Sequence, residues 1–270
     1  MLGAIIGDIA GSRFEFDNHK SKHFELFHPD CFFTDDSVMT LALARAVMDT
    51  DGGKPVRDAA YYVLLRNNAV RYMRKIGRRY PSCGYGGRFY SWMFSADSKP
   101  YNSYGNGAAM RVSPAGFSAG SEGEALAMAE ALTDVTHNHP EGIKGAQATA
   151  LCIWLARHGA SRAEIRERIR RDYYSLDFTV DRIRPAYEFD ESCQGTVPQA
   201  IVCSLEASSF EDAIRTAISL GGDSDTIAAI TGAIAEAAFG IPDAFKQKAL
   251  ALLSPDLRVI AEEWGEFSSK

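Results

Sequence analysis

Apolar residues recur at helical spacing along almost the whole chain, and alternating β-branched runs bounded by turns are nearly missing. Met39, Ala42, Leu43, Ala46 and Val47 follow the i, i+3, i+4, i+7, i+8 rule of a helix with one buried stripe. Ile143, Ala146, Ala150, Leu151, Trp154 and Leu155 form a second stripe. Ile227, Ile230, Ile234 and Ala238 form a third, with small residues packed between them. Ser161 and Glu164 have the spacing of a capping box, which predicts a charged helix through about Arg171. Gly240 followed by Pro242 reads as a helix stop. The pattern predicts an all-α protein. The least helical region is Tyr80 to Gly107, rich in Gly, Tyr, Ser and Asn, and it reads as a long functional loop. No Pro/Ser-rich linker interrupts the 270 residues, so we read 1–270 as a single compact multi-helix domain.

Charge narrows the range of partners. The formal net charge is −6 and the sequence pI is about 5.6. A surface of that sign argues against broad electrostatic binding of nucleic acid or of anionic membranes, and leaves room for a local basic pocket. The N-terminal MLGAIIGDIAG is a poor signal peptide, with no basic residue before its short apolar run and Asp8 inside it. No apolar stretch is long enough to predict a membrane span. The five cysteines, Cys31, Cys83, Cys152, Cys193 and Cys203, are odd in number and contain no CxxC pair. A disulfide framework or zinc-thiolate site is not expected, and a reducing cytoplasm fits best.

Two acidic motifs carry the chemistry. Phe33-Thr34-Asp35-Asp36-Ser37 stands just before the Met39 stripe, and Gly221-Gly222-Asp223-Ser224-Asp225-Thr226 just before the Ile227 stripe. Helix capping accounts for either motif alone, because Asp, Ser and Thr suit N-caps and acids suit the positive end of the helix dipole. Together they exceed what capping needs. Four carboxylates and two threonine hydroxyls are hard oxygen donors, suited to Mg2+ or Mn2+ and in principle Ca2+. Carboxylates from two helix ends can bridge a pair of ions if the fold brings opposite ends of the chain together.

The segments GAIIGDIAGSRFEF, FTDDSVMTLALARA, SYGNGAAMR, THNHPEGIKGA and GGDSDTIAAITGAIAEAAFG stand in the order found in ADP-ribosylglycohydrolases, and from about residue 1 to 242 the chain resembles that family. The resemblance implies the family's all-α fold. It implies a dinuclear Mg2+ or Mn2+ site held by Thr34, Asp35 and Asp36 from the first motif and by Asp223, Asp225 and Thr226 from the second. It places Glu15 over that site, in substrate gating and acid/base work. It places ADP-ribose in the Gly-rich loops Gly84-Tyr85-Gly86 and Ser103-Tyr104-Gly105-Asn106-Gly107, with His137 near the phosphates or ribose.

Read from the residues alone, those loops are either turns or anion cradles, since glycine lets backbone N–H groups approach a phosphate. Neither matches a dinucleotide or P-loop pattern. His137 and His139 lack a third nitrogen or sulfur ligand nearby, so zinc is disfavoured and a capping role is open to one of them. Asp8 reads as structural, and Arg111 fits either a phosphate or a loop carboxylate. The segment Glu188 to Pro198 reads as a loop closing one side of the pocket, and Cys193 lacks a base that would make it a nucleophile.

The expected function is metal-dependent hydrolysis of the glycosidic bond between ADP-ribose and an acceptor. Arginine-linked protein is the first choice, small-molecule conjugates are possible, and a nucleic-acid-linked acceptor is less favoured by the acidic charge. A two-metal nucleotide pyrophosphohydrolase and a non-catalytic ADP-ribose binder are the alternatives.

Overall fold

The computed structural model describes residues 1–52 and 56–269. Its first helices are α1 (Leu2–Gly11), continued by a 3-10 turn at Ser12–Phe14, then α2 (Asp35–Asp51), α3 (Ala59–Gly77) and α4 (Gly87–Phe94). Next come α5 (Gly107–Met110), α6 (Ser113–Ser118), α7 (Glu122–Thr133), α8 (Pro140–Arg157) and α9 (Arg162–Asp172). The remainder is α10 (Val180–Ile183), α11 (Cys193–Glu206), α12 (Phe210–Leu220), α13 (Ser224–Phe239), α14 (Asp243–Leu252) and α15 (Pro255–Ser268). Among the described residues the only β pairing is one antiparallel bridge, Gly105 with Ser192. The all-α reading holds.

The centre of the fold is α13. It is buried on every side from Ser224 to Ala235, and α1, α8, α11 and α12 pack around it. A helix so enclosed is apolar or small-residue all round rather than striped. Its tightest neighbour is α1, where Gly3, Gly7 and Gly11 fall on one face four residues apart. A Cβ on Gly3 would lie 2.2 Å from the Gly232 carbonyl oxygen, and one on Gly7 would lie 2.0 Å from that of Ala228. A Cβ on Gly11 would lie 2.6 Å from the Asp225 Cα. The two backbones touch, and only glycine permits it. This contact carries the end of α1 to the start of α13.

Local signals are met where they were read. Thr34 caps α2, its hydroxyl accepting from the Asp36 amide at 3.3 Å. Ser161 and Glu164 form the reciprocal capping box of α9. Gly240, with φ of +71°, ends α13. The whole Met39 stripe is fully buried.

Three readings need correction. First, Tyr80 to Gly107 is not one loop, because α4 lies inside it. Phe89, Trp92 and Met93 provide a short buried face at helical spacing that the surrounding Gly and Tyr obscure. Second, only half of the α8 stripe, Ala146, Ala150 and Leu151, is buried. Cys152, Ile153 and the small residues around Gly145 are buried, whereas Ile143, Trp154 and Leu155 lie at the margin. Ala238 is likewise exposed at the end of α13. Third, Glu188 to Pro198 is half helix, since Ser192 caps α11 and Cys193 opens it. The five cysteines are free thiols, four of them buried. No helix among the described residues is long and apolar enough to cross a membrane.

Candidate active site

The N-termini of α2 and α13 converge, and the turn after α1 lies across them. Thr226 at the start of α13 donates its hydroxyl to Asp36 Oδ2 at 3.2 Å, joining the two acidic motifs directly. Glu15, Asp223 and Asp225 bring carboxylate oxygens within 4.8 Å of one another. Asp35 and Asp36 line the same cleft, of about 430 Å³. Capping does not explain the cluster. Of the six side chains in the paired motifs, Thr34 alone caps its helix, and Asp223, in the N-cap position of α13, accepts no capping bond.

Asp8 holds the first motif from below. Fully buried, it accepts from the Thr34 amide and hydroxyl, the latter at 2.6 Å, and from the Ser37 amide and hydroxyl. These bonds tie the start of α2 to α1. Asn106 does the same for the second motif, donating to Asp223 Oδ2 at 2.6 Å and to the Thr196 hydroxyl at 3.1 Å.

So many acids in one place are costly. Burial, reinforced by neighbouring carboxylates, holds Asp35, Asp36 and Asp225 well above the ordinary carboxylate range. Burial also raises Asp223, and it pushes Asp8 up to about 6. Glu15 is pushed up to about 7, by burial first and then by Asp223 and Asp8. One further atom points to a missing partner: Asp36 Oδ1 is buried with no hydrogen bond at all. Buried polar atoms are normally satisfied, so an orphan acceptor among acids fits a cation. All the donors are hard oxygens, which fits Mg2+ or Mn2+.

The other half of the cleft is lined by glycine loops, Arg111 and His137. Gly84, with φ of +95°, lets its loop pass beside Asp35, and the Asp35 amide donates to the Cys83 carbonyl at 2.7 Å. The Ser103 to Gly107 loop is clipped to the chain before α11. The Asn106 amide donates to the Glu191 carbonyl at 2.7 Å, and the Cys193 amide to that of Tyr104 at 2.9 Å. Behind this loop Arg111 is 1% exposed, with no carboxylate partner. Its Nη2 donates to the Thr136 hydroxyl at 2.7 Å and to His137 Nδ1 at 3.0 Å, and its guanidinium lies 5.1 Å over the Phe89 ring.

Because arginine can only donate, His137 Nδ1 accepts and Nε2 carries the proton of a neutral ring. Burial and the Arg111 charge hold His137 well below the usual histidine range. Nε2 faces the Gly105–Gly107 turn. The result is a neutral N–H donor and a buried cation beside a glycine loop.

The fold thus gathers Glu15, Asp35, Asp36, Asp223, Asp225, Thr226, Gly84, Gly86, Ser103, Tyr104, Gly105, Asn106, Gly107 and His137 around one cleft. Two predicted residues stand behind it. Thr34 is buried with its hydroxyl engaged by Asp8, and Tyr85 stacks on Phe89 at 5.6 Å with its hydroxyl buried and unpartnered. His139 caps α8, accepting from the Glu141 amide at 3.1 Å. Cys193 donates to the Gly105 carbonyl and its thiol is pushed up by burial, so it is no nucleophile. Phe189 and Glu191, from the segment read as closing one side of the pocket, do line the cleft, whereas sequence reasoning missed Arg88. It also missed the glycine stripe of α1, whose four-residue spacing is visible in the sequence.

An acid cluster of hard oxygen donors facing a buried arginine and a glycine loop across one cleft fits a hydrolase that uses a hard cation on an anionic substrate. The ADP-ribosylglycohydrolase family pattern matches residues 1–267, and the chain belongs to that family. It is 26% identical to the ADP-ribosylhydrolase ARH3 of Mus musculus, covering 92% of this chain and 85% of that one. It is 27% identical to the ADP-ribosylarginine hydrolase Tri1 of Pseudomonas putida (strain GB-1), over 89% of this chain and 70% of that one. A solved structure described as an ADP-ribosylglycohydrolase-related protein complex superposes with a TM-score of 0.68. That match covers 99% of this chain and 95% of the other at 22% identity, a likeness of fold.

Proposed function

We propose that this enzyme hydrolyses the C1″ glycosidic bond joining ADP-ribose to arginine-linked protein, releasing intact ADP-ribose in a reducing cytoplasm. The observation that carries the reading is the junction in one cleft of the acid cluster with the anion-binding wall of Arg111, His137 and the Ser103–Gly107 loop. Similarity to an ADP-ribosylarginine hydrolase supports the choice of acceptor.

Asp35, Asp36, Asp223 and Asp225, with Thr226, would hold two Mg2+ or Mn2+ ions, while Thr34 braces the first motif from behind through Asp8. Such ions supply Lewis acidity and a water of lowered pKa next to the reacting carbon. The protein's own groups do the rest. Arg111 and His137 Nε2–H face the pyrophosphate, and the glycines allow its close approach. The Tyr104 ring, 49% exposed, offers a face for adenine, and Gly84 and Gly86 border the ribose end. Glu15 stands over the acid cluster, where its carboxyl can exchange a proton with a departing acceptor nitrogen or oxygen. Asp8 and Asn106 fix the carboxylates of the two motifs.

The test is product analysis by mass spectrometry. Arginine- and serine-linked ADP-ribosyl peptides are incubated with the protein and Mg2+ or Mn2+, with EDTA and Asp225→Asn as controls. Metal-dependent release of ADP-ribose is expected from the arginine linkage. Release of AMP would replace this reading with a pyrophosphohydrolase. Tight ADP-ribose binding without release from any linkage would make the protein a binder.

A further inference from the structure

A second cavity of about 400 Å³ opens beside the catalytic cleft, lined by Glu15, Phe16, Asn18, Glu188, Phe189 and Gly222. It shares Glu15 and Phe189 with the cleft, so it begins where the scissile bond would lie and leads away from the anion-binding wall. Phe16 is 86% exposed and Phe189 49% exposed, and their rings stand 6.1 Å apart and only 22° from parallel. Two phenyl faces left in water on separate loops are not core packing. The loop that carries Phe16 is tied to the turn before α13, because Asn18 Oδ1 accepts from the Gly222 amide at 3.0 Å. The ionisable lining groups, Glu15 and Glu188, are both acids. Lys20 next to this wall is engaged, its ammonium donating to the Tyr187 and Leu220 carbonyls.

We infer that this cavity is the acceptor subsite, and that Phe16, Phe189 and Glu188 select a planar cation, the guanidinium of a modified arginine. The inference rests on the function proposed above and assigns its acceptor specificity to named residues. A guanidinium stacks on phenyl faces and pairs with a carboxylate through its in-plane N–H groups. A phosphate-bearing acceptor meets two acids there, and a serine side chain is too short to reach across the rings.

The experiment compares wild type, Phe16→Ala and Glu188→Gln on matched arginine- and serine-linked ADP-ribosyl peptides, with free ADP-ribose titrated calorimetrically. Phe16 and Glu188 are exposed, so both variants should fold. On the arginine linkage kcat/KM should fall about three- to tenfold in each variant, with ADP-ribose affinity held within about twofold. Methylguanidinium, titrated by NMR onto the ADP-ribose-saturated protein, should bind wild type and bind Phe16→Ala more weakly. Equal losses on both linkages, a wild-type preference for serine, or a loss of ADP-ribose affinity would overturn the subsite. If wild type cleaves neither linkage, the proposed function falls. The methylguanidinium titration still decides the subsite, which fails if Phe16→Ala leaves that binding unchanged.

Discussion

Gly7→Ala tests whether the α1–α13 backbone contact builds the site. The added Cβ would lie 2.0 Å from the Ala228 carbonyl oxygen, 2.3 Å from its carbon and 2.7 Å from the Ala229 amide nitrogen. All three are backbone atoms of a fully buried helix, so no side chain can swing aside. Restoring ordinary contact requires the helices to part by about 1 Å, at the upper end of the overpacking range of about 1–3 kcal/mol. Alanine's better helix propensity returns roughly 1 kcal/mol. A net loss of about 2 kcal/mol corresponds to roughly 4–8 °C in Tm for a chain of this size. Parting the helices also moves Asp8 and Glu15 away from Asp225, so Mn2+ affinity should fall with stability. Gly265→Ala in α15, where a Cβ meets nothing within 4 Å, should instead be neutral or stabilising. Thermal denaturation and Mn2+ titration of both variants give the answer. A Gly7→Ala protein as stable as Gly265→Ala would refute the reasoning.

Asp35→Asn and Asp225→Asn should each abolish turnover by weakening metal binding, and near-normal rates in both would sink the dinuclear assignment. Without a cation, folded Glu15 keeps its proton up to about pH 7, whereas the unfolded chain loses it near 4.5. The folded state therefore binds more protons in that window, and metal-free stability falls as pH rises through it. Cation binding needs the ionised acids, so the Tm gained from Mg2+ or Mn2+ over EDTA should grow between about pH 5 and pH 8. A gain independent of pH would refute the linkage. Arg111→Lys keeps the charge but cannot serve the Thr136 hydroxyl, His137 and a phosphate together. ADP-ribose should bind about tenfold more weakly, read by calorimetry.

The elements were legible where a local cause sufficed. The helical stripes of α2 and α13, the Ser161 capping box and the Gly240 stop act within a few residues, and pattern alone exposes them. Only part of the α8 face was legible, because small residues such as Gly145 and Ala148, which carry little hydrophobic pattern, share the inward side with Ala146, Ala150 and Leu151. Helix α4 was hidden because its buried face spans a single turn inside a Gly- and Tyr-rich stretch.

The chemistry divides along the same line. Sequence alone singled out the acids that the fold gathers in one cleft, because oxygen donors in that number before two apolar helices exceed what capping needs. It did not determine that Thr226 meets Asp36, that Asp8 and Asn106 hold the two motifs, or that Arg111 is buried on His137 without an ion pair among the described residues. Those facts depend on α1 lying against α13 through three glycines and on the Gly105–Ser192 bridge. Contacts between distant segments follow from packing, which no run of neighbouring residues encodes. The pairing of Phe16 with Phe189 is of the same kind, two unremarkable exposed residues until the fold sets them on either side of one cavity.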